Sequence, residues 1–259
     1  MTSQKSLEGK TAIVTGGAGG LGTAFSLALA NAGANVGVAF IGNPAPAQTL
    51  VQQIQALGVK SSTLEADITD PAAVKAMFTK ADSKLGLLDI LVNNAGIDGV
   101  RVRVWEVDAV KWRKTLEVNL FGSFHCAQEV LSRMVARKSG VVINISSVHE
   151  VIAWGGYTAS KAGLSMLTKT LAQEAAEFNV RVLALAPGAV KTPINQDVWN
   201  NLTELADLNK KIPFGRMGDP IEIAKVLVNL ASDDSSYLTG TTVFVDGGMT
   251  LYADFANGG

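Results

Sequence analysis

Residues 11–22, "TAIVTGGAGGLG", decide the fold of this chain. A β-branched and apolar run that ends in glycines is typical of a strand, here 11–15, which passes directly into a helix, here 20–32. Glycines allow a tight turn and a close approach to a pyrophosphate, while the free N–H groups that begin the helix face the anion. A plain strand-to-helix turn is the alternative. A phosphate-binding turn is favoured because the glycines follow the first strand of an α/β pattern.

The same alternation of short apolar runs and helical stretches continues along the chain. Further strands are predicted at 34–40, 60–66, 88–93, 140–146, 180–186 and 241–246, and further helices at 44–57, 71–85, 107–137, 157–178 and 219–231. Apolar strands that alternate with helices predict a Rossmann-type doubly wound α/β fold, a parallel seven-stranded sheet with helices on both faces. We expect one dinucleotide-binding and catalytic domain over 1–259, with a small substrate flap at about 188–218 that contains a lid helix over 197–209.

Composition and charge exclude several classes of protein. The chain has 259 residues, of which 47% are hydrophobic and 17% charged, a balance that excludes a disordered protein. The net charge is −1 with basic residues scattered, so neither nucleic acid nor an anionic membrane is an expected partner. No apolar run resembles a signal peptide or a membrane span, and the single cysteine, Cys126, allows no intrachain disulfide. These features predict a cytoplasmic protein.

Unusual residue clusters follow the predicted strands one after another. They are "TGGAGGLG" (15–22), Asp67, "NNAG" (93–96), "SSVHE" (146–150) and "PGAVKTP" (187–193). Ligands of parallel sheets bind at the carboxyl ends of the strands, so these clusters predict one site at that edge.

Tyr157 and Lys161 stand four residues apart in a predicted helix and share one helical face. A nearby positive charge favours phenolate and lowers a tyrosine pKa that is normally about 10. Such a tyrosine can exchange a proton with a hydroxyl or carbonyl near neutral pH. The alternative is a solvated pair, as many helices contain.

Asparagines occupy two further informative positions. Asn93 ends the fourth strand, where it either stabilises the sheet or contributes to the site, while Ala95 and Gly96 leave room for a flat ligand. Asn119 lies inside the predicted helix 107–137, a poor place for asparagine. It either kinks that helix or holds water for proton transfer through its side chain or a freed carbonyl.

Together these residues make the chain resemble a short-chain dehydrogenase/reductase along essentially its whole length. The matching residues are Thr15, Gly16, Gly20, Gly22, Asp67, Asn93, Asn94, Ala95, Gly96, Asn119, a serine of the 146–147 pair, Tyr157, Lys161, Pro187 and Gly188. In its loops and its ending the chain looks most like the bacterial glucose 1-dehydrogenases of that family.

The resemblance implies roles for individual residues. Ser147 would hold the substrate oxygen, Tyr157 would be the general acid/base, Lys161 would lower the pKa of Tyr157 and grip the nicotinamide ribose, and Asn119 would anchor a relay water. Asp67 would meet the adenine and Thr192 the nicotinamide amide. The full implied set of cofactor contacts is Gly16, Gly19, Gly20, Leu21, Gly22, Phe40, Asp67, Ile68, Asn93, Ala95, Gly96, Tyr157, Lys161, Pro187, Gly188, Val190 and Thr192.

The chain departs from the family pattern before Tyr157. The catalytic serine usually stands about a dozen or more residues before the tyrosine, but Ser147 is ten residues before it and Ser146 eleven. We assign Ser147, because "INISS" resembles family strands that end with the active-site serine second. The shortened loop is expected to widen one wall of the pocket.

By this resemblance the substrate is an aldose such as glucose, oxidised at its anomeric hydroxyl to the lactone. The implied substrate contacts are Asp98, Ser147, His149, Tyr157 and Asn195. For His149 the alternative is a loop residue bonded to backbone, and for Glu150 it is a support for the loop. Trp154 either stacks on a sugar or closes the loop. Other possibilities are reduction of a 3-oxoacyl thioester or keto sugar acid, and a dinucleotide-binding protein without activity. No metal is expected.

The predicted cofactor is NAD, with NADP possible. The second strand ends at Phe40 and continues with Ile41, Gly42 and Asn43, so it provides neither the acid that binds a ribose 2′-OH nor a cation for a 2′-phosphate. Resemblance also implies a homotetramer, paired through helices 107–137 and 157–178 and through a tail that carries Tyr252 and Phe255.

Overall fold

All seven predicted strands form one parallel sheet. A computed structural model describes residues 5–99, 102–153 and 155–251. The strands are β1 (Thr11–Val14), β2 (Asn35–Phe40), β3 (Ser61–Glu65), β4 (Ile90–Asn93), β5 (Gly140–Ile145), β6 (Val180–Pro187) and β7 (Thr242–Val245). Their order is β3-β2-β1-β4-β5-β6-β7, and every neighbouring pair is parallel. The reversal of strand order beside β1 confirms the doubly wound fold.

Helices connect the strands. They are α1 (Gly20–Asn31), α2 (Ala45–Ala56), α3 (Pro71–Leu85), α4 (Ala109–Leu116), α5 (Ser123–Arg137), α6 (Gly155–Ala175), α7 (Gln196–Asn200), α8 (Leu202–Asn209) and α9 (Pro220–Ala231). Among the described residues, no helix is long and apolar enough to span a membrane. The predicted roles of Trp154, Tyr252 and Phe255 lie outside the described residues.

Both faces of the sheet are buried, which explains why the strands read as continuous apolar runs. Along β1, Ala12 and Val14 pack into the core beneath α1, α2 and α9, whereas Ile13 packs into the core on the opposite face, with residues of α3, α5 and α6. Side chains of a strand alternate between faces, so one short strand contributes to both cores.

The predicted helix 107–137 is not continuous. The structure has α4, then a π-helical segment over Glu117–Gly122, then α5. Asn119 in this segment is completely buried. A widened turn of this kind accommodates an inserted residue and is frequent at functional sites, and here it brings the Asn119 side chain towards the end of β4.

The predicted lid helix 197–209 is also divided. Asn201 ends α7 and caps α8, since its side chain accepts hydrogen bonds from Thr203 N and Glu204 N. Asparagine at a helix N-cap satisfies backbone N–H groups that would otherwise lack partners, and it thereby begins a new helix. Neither α7 nor α8 has a fully buried residue, so the flap lies on the surface of the domain.

Candidate active site

A cavity of about 400 Å³ lies at the carboxyl edge of the sheet, where the sequence clusters predict a site. Predicted site residues that line it are Gly20, Leu21, Gly96, Asp98, Ser147, Tyr157, Lys161, Pro187, Gly188, Val190, Thr192 and Asn195. Residues distant in sequence therefore meet because the parallel strands β1, β4, β5 and β6 end at the same edge.

The glycine turn is shaped by close backbone contacts. Gly16 has φ of +59°, and a Cβ there would lie 3.0 Å from Ala95 Cα. A Cβ on Gly22 would lie 2.1 Å from Gly16 O. Gly19 is the N-cap of α1 and provides no side-chain cap, so the first N–H groups of α1 point towards the cavity without a capping side chain. The turn fits a pyrophosphate group, which needs bare backbone and free N–H groups.

Asn94, a residue absent from our predicted contacts, holds this turn. Its Nδ2 donates to Thr15 O at 2.9 Å and to Gly16 O at 3.1 Å, and its side chain lines the cavity. The side chain of Asn93 takes the sheet-stabilising role that we gave as one alternative, and a contact of this residue with cofactor stays a prediction. Its Nδ2 donates to Asn144 Oδ1 on β5, and the residue is only 2% exposed. Neighbouring residues of a strand point in opposite directions, so only one of this pair can face the site.

The two serines after β5 have different partners. The hydroxyl groups of Ser147 and Tyr157 share a hydrogen bond. The Ser146 hydroxyl instead donates to Glu150 Oε2 at 2.5 Å. This geometry supports Ser147 as the residue that holds a substrate oxygen beside the phenol. The bond from Ser146 to Glu150 fits the alternative that we gave for Glu150, a support for the loop.

Burial controls the protonation of Tyr157. Burial raises the pKa of Tyr157 to about 12. The hydrogen bond from Ser147 lowers this pKa, whereas the Asp98 carboxylate also raises it. Lys161 Nζ lies 5.5 Å from the centre of the Tyr157 ring. Our expectation of a lowered tyrosine pKa is therefore wrong in this structure. Moving a phenolate out of water costs more free energy than the hydrogen bond from Ser147 contributes in its favour. At neutral pH, Tyr157 holds its proton and can donate it.

Lys161 is 4% exposed, and its Nζ donates to Ile145 O at 2.7 Å. Burial lowers the pKa of Lys161 to about 8, while the carboxylates of Asp98 and Glu150 raise it. The side chain is thus protonated at neutral pH but titrates only slightly above it, which makes its charge sensitive to nearby groups.

Asn119 joins the π-helical segment to the loop after β4. Its Oδ1 accepts from Ile97 N at 2.8 Å, and its Nδ2 donates to Ile97 O at 2.9 Å and to Ser160 Oγ at 3.1 Å. The side-chain amide is therefore engaged in three hydrogen bonds. We considered the side chain and the backbone carbonyl of Asn119 as groups that hold a water, and the backbone carbonyl is the one that stays a prediction. The Asn119 carbonyl accepts a hydrogen bond from Ser123 Oγ at 3.0 Å.

Three predicted cofactor contacts lie beyond this cavity, on the far side of the glycine turn. Phe40 and Asp67 lie at the ends of neighbouring strands, and Ala66 N donates to Phe40 O at 3.0 Å. Hydrogen bonds from the Thr69 N–H and hydroxyl lower the pKa of Asp67 and keep it ionised. The Ile68 side chain, in contrast, packs against Gly122, where a Cβ would lie 2.6 Å from it. The π-helical segment therefore covers the Ile68 side chain, and the contact of this residue with cofactor stays a prediction.

The start of the flap packs against the glycine turn. A Cβ on Gly20 would lie 3.4 Å from Thr192 Cβ. The amide of Asn195 holds this segment together, since Oδ1 accepts from Thr192 N at 2.9 Å and Nδ2 donates to Val190 O at 2.9 Å. Asn195 thus has a structural role that the sequence did not indicate, and its contact with substrate stays a prediction.

A second compartment of about 260 Å³ opens beside Tyr157 and shares Asp98 and Ser147 with the first. Six apolar residues form one part of its wall, Val148, Ala189, Ile194, Val198, Leu208 and Met249, and Tyr157, Gly188 and Asn195 also line it. His149 lines it as well, with Nδ1 at 3.1 Å from Ile152 O. A carbonyl only accepts, so Nδ1 is the donor, as in the loop-histidine alternative. No pattern in the sequence indicated this apolar wall.

The different surroundings of the two serines give a testable result. Ser147→Ala is expected to lower kcat/KM by about 10²-fold, because it removes a hydrogen-bonding group from the substrate oxygen and from Tyr157. Ser146→Ala is the matched comparison, and it should lower kcat/KM less than about tenfold, because it removes only the bond to Glu150. Steady-state rates measured by reduced-nicotinamide absorbance decide the assignment. A larger loss in Ser146→Ala would reverse it.

The chain is similar to known proteins over nearly its whole length. Residues 16–250 match the family model described as enoyl-(acyl carrier protein) reductase. The chain is 42% identical over 256 residues to 3beta-hydroxysteroid dehydrogenase 1 of Eggerthella lenta, covering 97% of this chain and 98% of that protein. It is 38% identical over 252 residues to glucose 1-dehydrogenase 2 of Bacillus subtilis, covering 96% and 97%.

A solved structure is similar to this chain in both fold and sequence. The gluconate 5-dehydrogenase from Burkholderia cenocepacia, in complex with NADP and tartrate, superposes with a TM-score of 0.90 at 34% identity, covering 95% of this chain and 97% of that one. With the glycine turn, the serine, the tyrosine and the lysine all present at one edge of a doubly wound sheet, the chain belongs to the short-chain dehydrogenase/reductase family of oxidoreductases.

Proposed function

We propose that this protein is an NAD(P)-dependent dehydrogenase that interconverts an uncharged secondary alcohol and its ketone, with a substrate whose body is largely apolar, such as a hydroxysteroid. The observation that carries this proposal is the wall of the second compartment, where six apolar side chains surround the space next to Tyr157. A mostly apolar pocket with a few polar groups at one end orients an apolar ligand by its single polar group.

The residues at the polar end can perform the proton chemistry. The nicotinamide cofactor, when bound, supplies or accepts the hydride at the reacting carbon. Ser147 orients the substrate oxygen, and Tyr157, which holds its proton at neutral pH, donates that proton to the oxygen as a ketone is reduced. In the oxidative direction Tyr157 must first lose that proton to solvent, and its phenolate then accepts the proton of the alcohol. The buried ammonium of Lys161, which lies over the phenol ring, favours that phenolate.

An aldose is the second candidate, and the loops of the sequence together with the glucose 1-dehydrogenase relative support it. Asp98 lies on both compartments, where a carboxylate can accept hydrogen bonds from sugar hydroxyls. Against this candidate, His149 Nδ1 and the Asn195 amide bond to backbone groups of their own loops. A polyol would therefore find fewer partners than the sequence suggested.

Charge argues against a keto sugar acid. Among the described residues that line the two compartments, Lys161 is the only cation, and its ammonium already donates to Ile145 O. A substrate carboxylate would lie beside the Asp98 carboxylate and would have only this one buried ammonium as a cationic partner. A 3-oxoacyl thioester remains compatible with the apolar wall, and so it belongs in the test.

A substrate panel tests the proposal. A 3β-hydroxysteroid, D-glucose, D-gluconate and, for reduction, an acetoacetyl thioester are each assayed with NAD or NADP by reduced-nicotinamide absorbance. We expect kcat/KM for the steroid to exceed that for glucose by at least about tenfold, because only the steroid buries apolar area against the wall. Turnover of gluconate, or of glucose in preference to the steroid, would contradict the proposed substrate class. The assignment to the enzyme family would stand.

We propose NAD as the preferred cofactor, with NADP also accepted. After β2 the chain continues with the exposed Ile41, then Gly42 at φ of +81° and Asn43, whose Oδ1 accepts from Ala45 N. This sequence offers neither a cation to a 2′-phosphate nor a carboxylate to repel one.

We further propose a homotetramer paired through α4, α5 and α6. Phe121 and Met166, on the π-helical segment and on α6, expose 52% and 60% of their surface, and apolar groups of this size on adjacent helices favour burial by a second copy. The cytoplasmic location stays a prediction.

A further inference from the structure

The loop between Ser147 and Tyr157 carries a carboxylate, Glu150, whose contacts reach beyond the loop that it supports. Glu150 ends a short helical turn over Val148–Glu150, directly after β5. Its Oε2 accepts from Ser146 Oγ at 2.5 Å, and its Oε1 accepts from Ser165 Oγ at 3.1 Å. Ser165 lies on α6, four residues after Lys161, and its hydroxyl is 3.3 Å from Thr242 Oγ1 on β7. One carboxylate thus connects β5, α6 and β7.

These contacts fix the groups that perform the chemistry. Ser146 precedes Ser147 in the chain, so the bond to Glu150 restrains the backbone that presents the Ser147 hydroxyl to Tyr157. The bond to Ser165 restrains the same helix turn that carries Lys161. Restraint of this kind is what keeps a catalytic group within about 0.5 Å of its productive position.

Glu150 also acts on Lys161 through its charge. Burial lowers the pKa of Lys161 to about 8, and only negative charge nearby opposes that fall, first from Asp98 and second from Glu150. The other titratable groups close by are Tyr157, whose ring lies beneath the ammonium, and His149, whose ring centre is 5.9 Å from that of Tyr157.

We infer that Glu150 is a positioning residue of this active site, which holds the serine turn and α6 in register through Ser146 and Ser165 and places its negative charge in the surroundings of Lys161. This inference rests on the proposed function only for its kinetic readout. The charge effect is a property of the protein itself.

The direct test is the titration of Lys161 in the full-length protein. Lysine labelled with ¹³C at Cε gives one NMR signal per residue, and Lys161→Arg identifies the Lys161 signal. Glu150→Gln removes the charge but keeps an oxygen acceptor, and we expect the pKa of Lys161 to fall. Ser146→Ala keeps the charge and the Ser165 anchor, so the pKa of Lys161 should stay as in the unchanged protein. An unchanged pKa of Lys161 in folded Glu150→Gln would overturn the inference.

A second variant covers the case in which Glu150→Gln does not fold. Ser146→Ala/Ser165→Ala frees the carboxylate from both anchors and lets it turn towards solvent, so the same fall in the pKa of Lys161 is expected. If this variant keeps the pKa unchanged, the inference is equally overturned.

The kinetic readout follows with NAD and whichever of the 3β-hydroxysteroid or D-glucose is turned over. The ratio of kcat/KM for Glu150→Gln to that of the unchanged protein is expected to fall about fivefold between pH 7 and pH 9, because the variant loses the protonated lysine at lower pH. A purely structural role would lower the rate by the same factor at every pH. Absence of turnover with both substrates would refute the proposed function and leave the NMR result to decide on Glu150.

Discussion

Tyr157→Phe is expected to lower kcat by about 10³-fold while cofactor binding stays within about twofold of the unchanged protein. The substitution removes one oxygen from a residue that lines both compartments and shares a hydrogen bond with Ser147. It keeps the ring over which Lys161 Nζ lies at 5.5 Å, so the packing around the lysine is retained. The loss therefore reports proton transfer, measured by steady-state rates with quenching of protein fluorescence as the readout of NADH binding.

Tyr237 provides the matched control for this result. It is fully exposed, far along the chain in the turn after α9, and lines neither compartment. Tyr237→Phe likewise removes a phenol oxygen, but at an exposed position, and should leave kcat unchanged. A Tyr157→Phe variant with a rate close to normal would refute the general acid/base assignment, whatever the substrate proves to be.

Gly22→Ala is expected to weaken NADH binding at least about tenfold and to lower the melting temperature by about 3–10 °C. A Cβ on Gly22 would lie 2.1 Å from Gly16 O and 2.9 Å from Asn94 Nδ2. Both neighbours are held in place, because Asn94 bonds to Thr15 O and Gly16 O. The glycine turn must therefore move, and the N–H groups at the start of α1 move with it. Calorimetry and NADH titration measure the two effects.

Gly218→Ala is the control for the glycine substitution. The nearest atoms to a Cβ at this position lie 3.8 Å away, an ordinary contact. Its stability and NADH affinity should therefore match those of the unchanged protein. If Gly22→Ala bound NADH normally, the role of this turn as the phosphate site would be wrong.

Local patterns in the sequence were sufficient for the fold and for the edge of the sheet at which the cavity lies. All seven strands were predicted within two residues of their observed ends, since strands buried on both faces consist of short apolar runs. The helix break at Asn201 was missed, whereas the interruption at Asn119 was given only as one alternative, a kink. In both cases a single asparagine side chain bonds to backbone groups and so competes with the hydrogen bonds of a continuous helix. The periodicity of apolar residues does not indicate such a bond.

The protonation states needed the tertiary structure. The spacing of Tyr157 and Lys161 indicated a lowered tyrosine pKa, but the degree of burial of both groups depends on α6, β5 and the loop after β4 together. Desolvation is a property of everything packed around a group, so it cannot be read from a four-residue interval.

By itself, the sequence determined the doubly wound sheet and the edge at which the cavity lies, because both depend on periodicity along the chain. Its resemblance to a family also singled out Tyr157 and Lys161 as the predicted acid/base pair. Only the tertiary structure decided which serine faces the phenol, that Asn94 rather than Asn93 faces the cavity, that an apolar wall encloses the substrate side, and that Glu150 joins β5 to α6. These depend on the direction of side chains across elements distant in sequence, which packing alone sets.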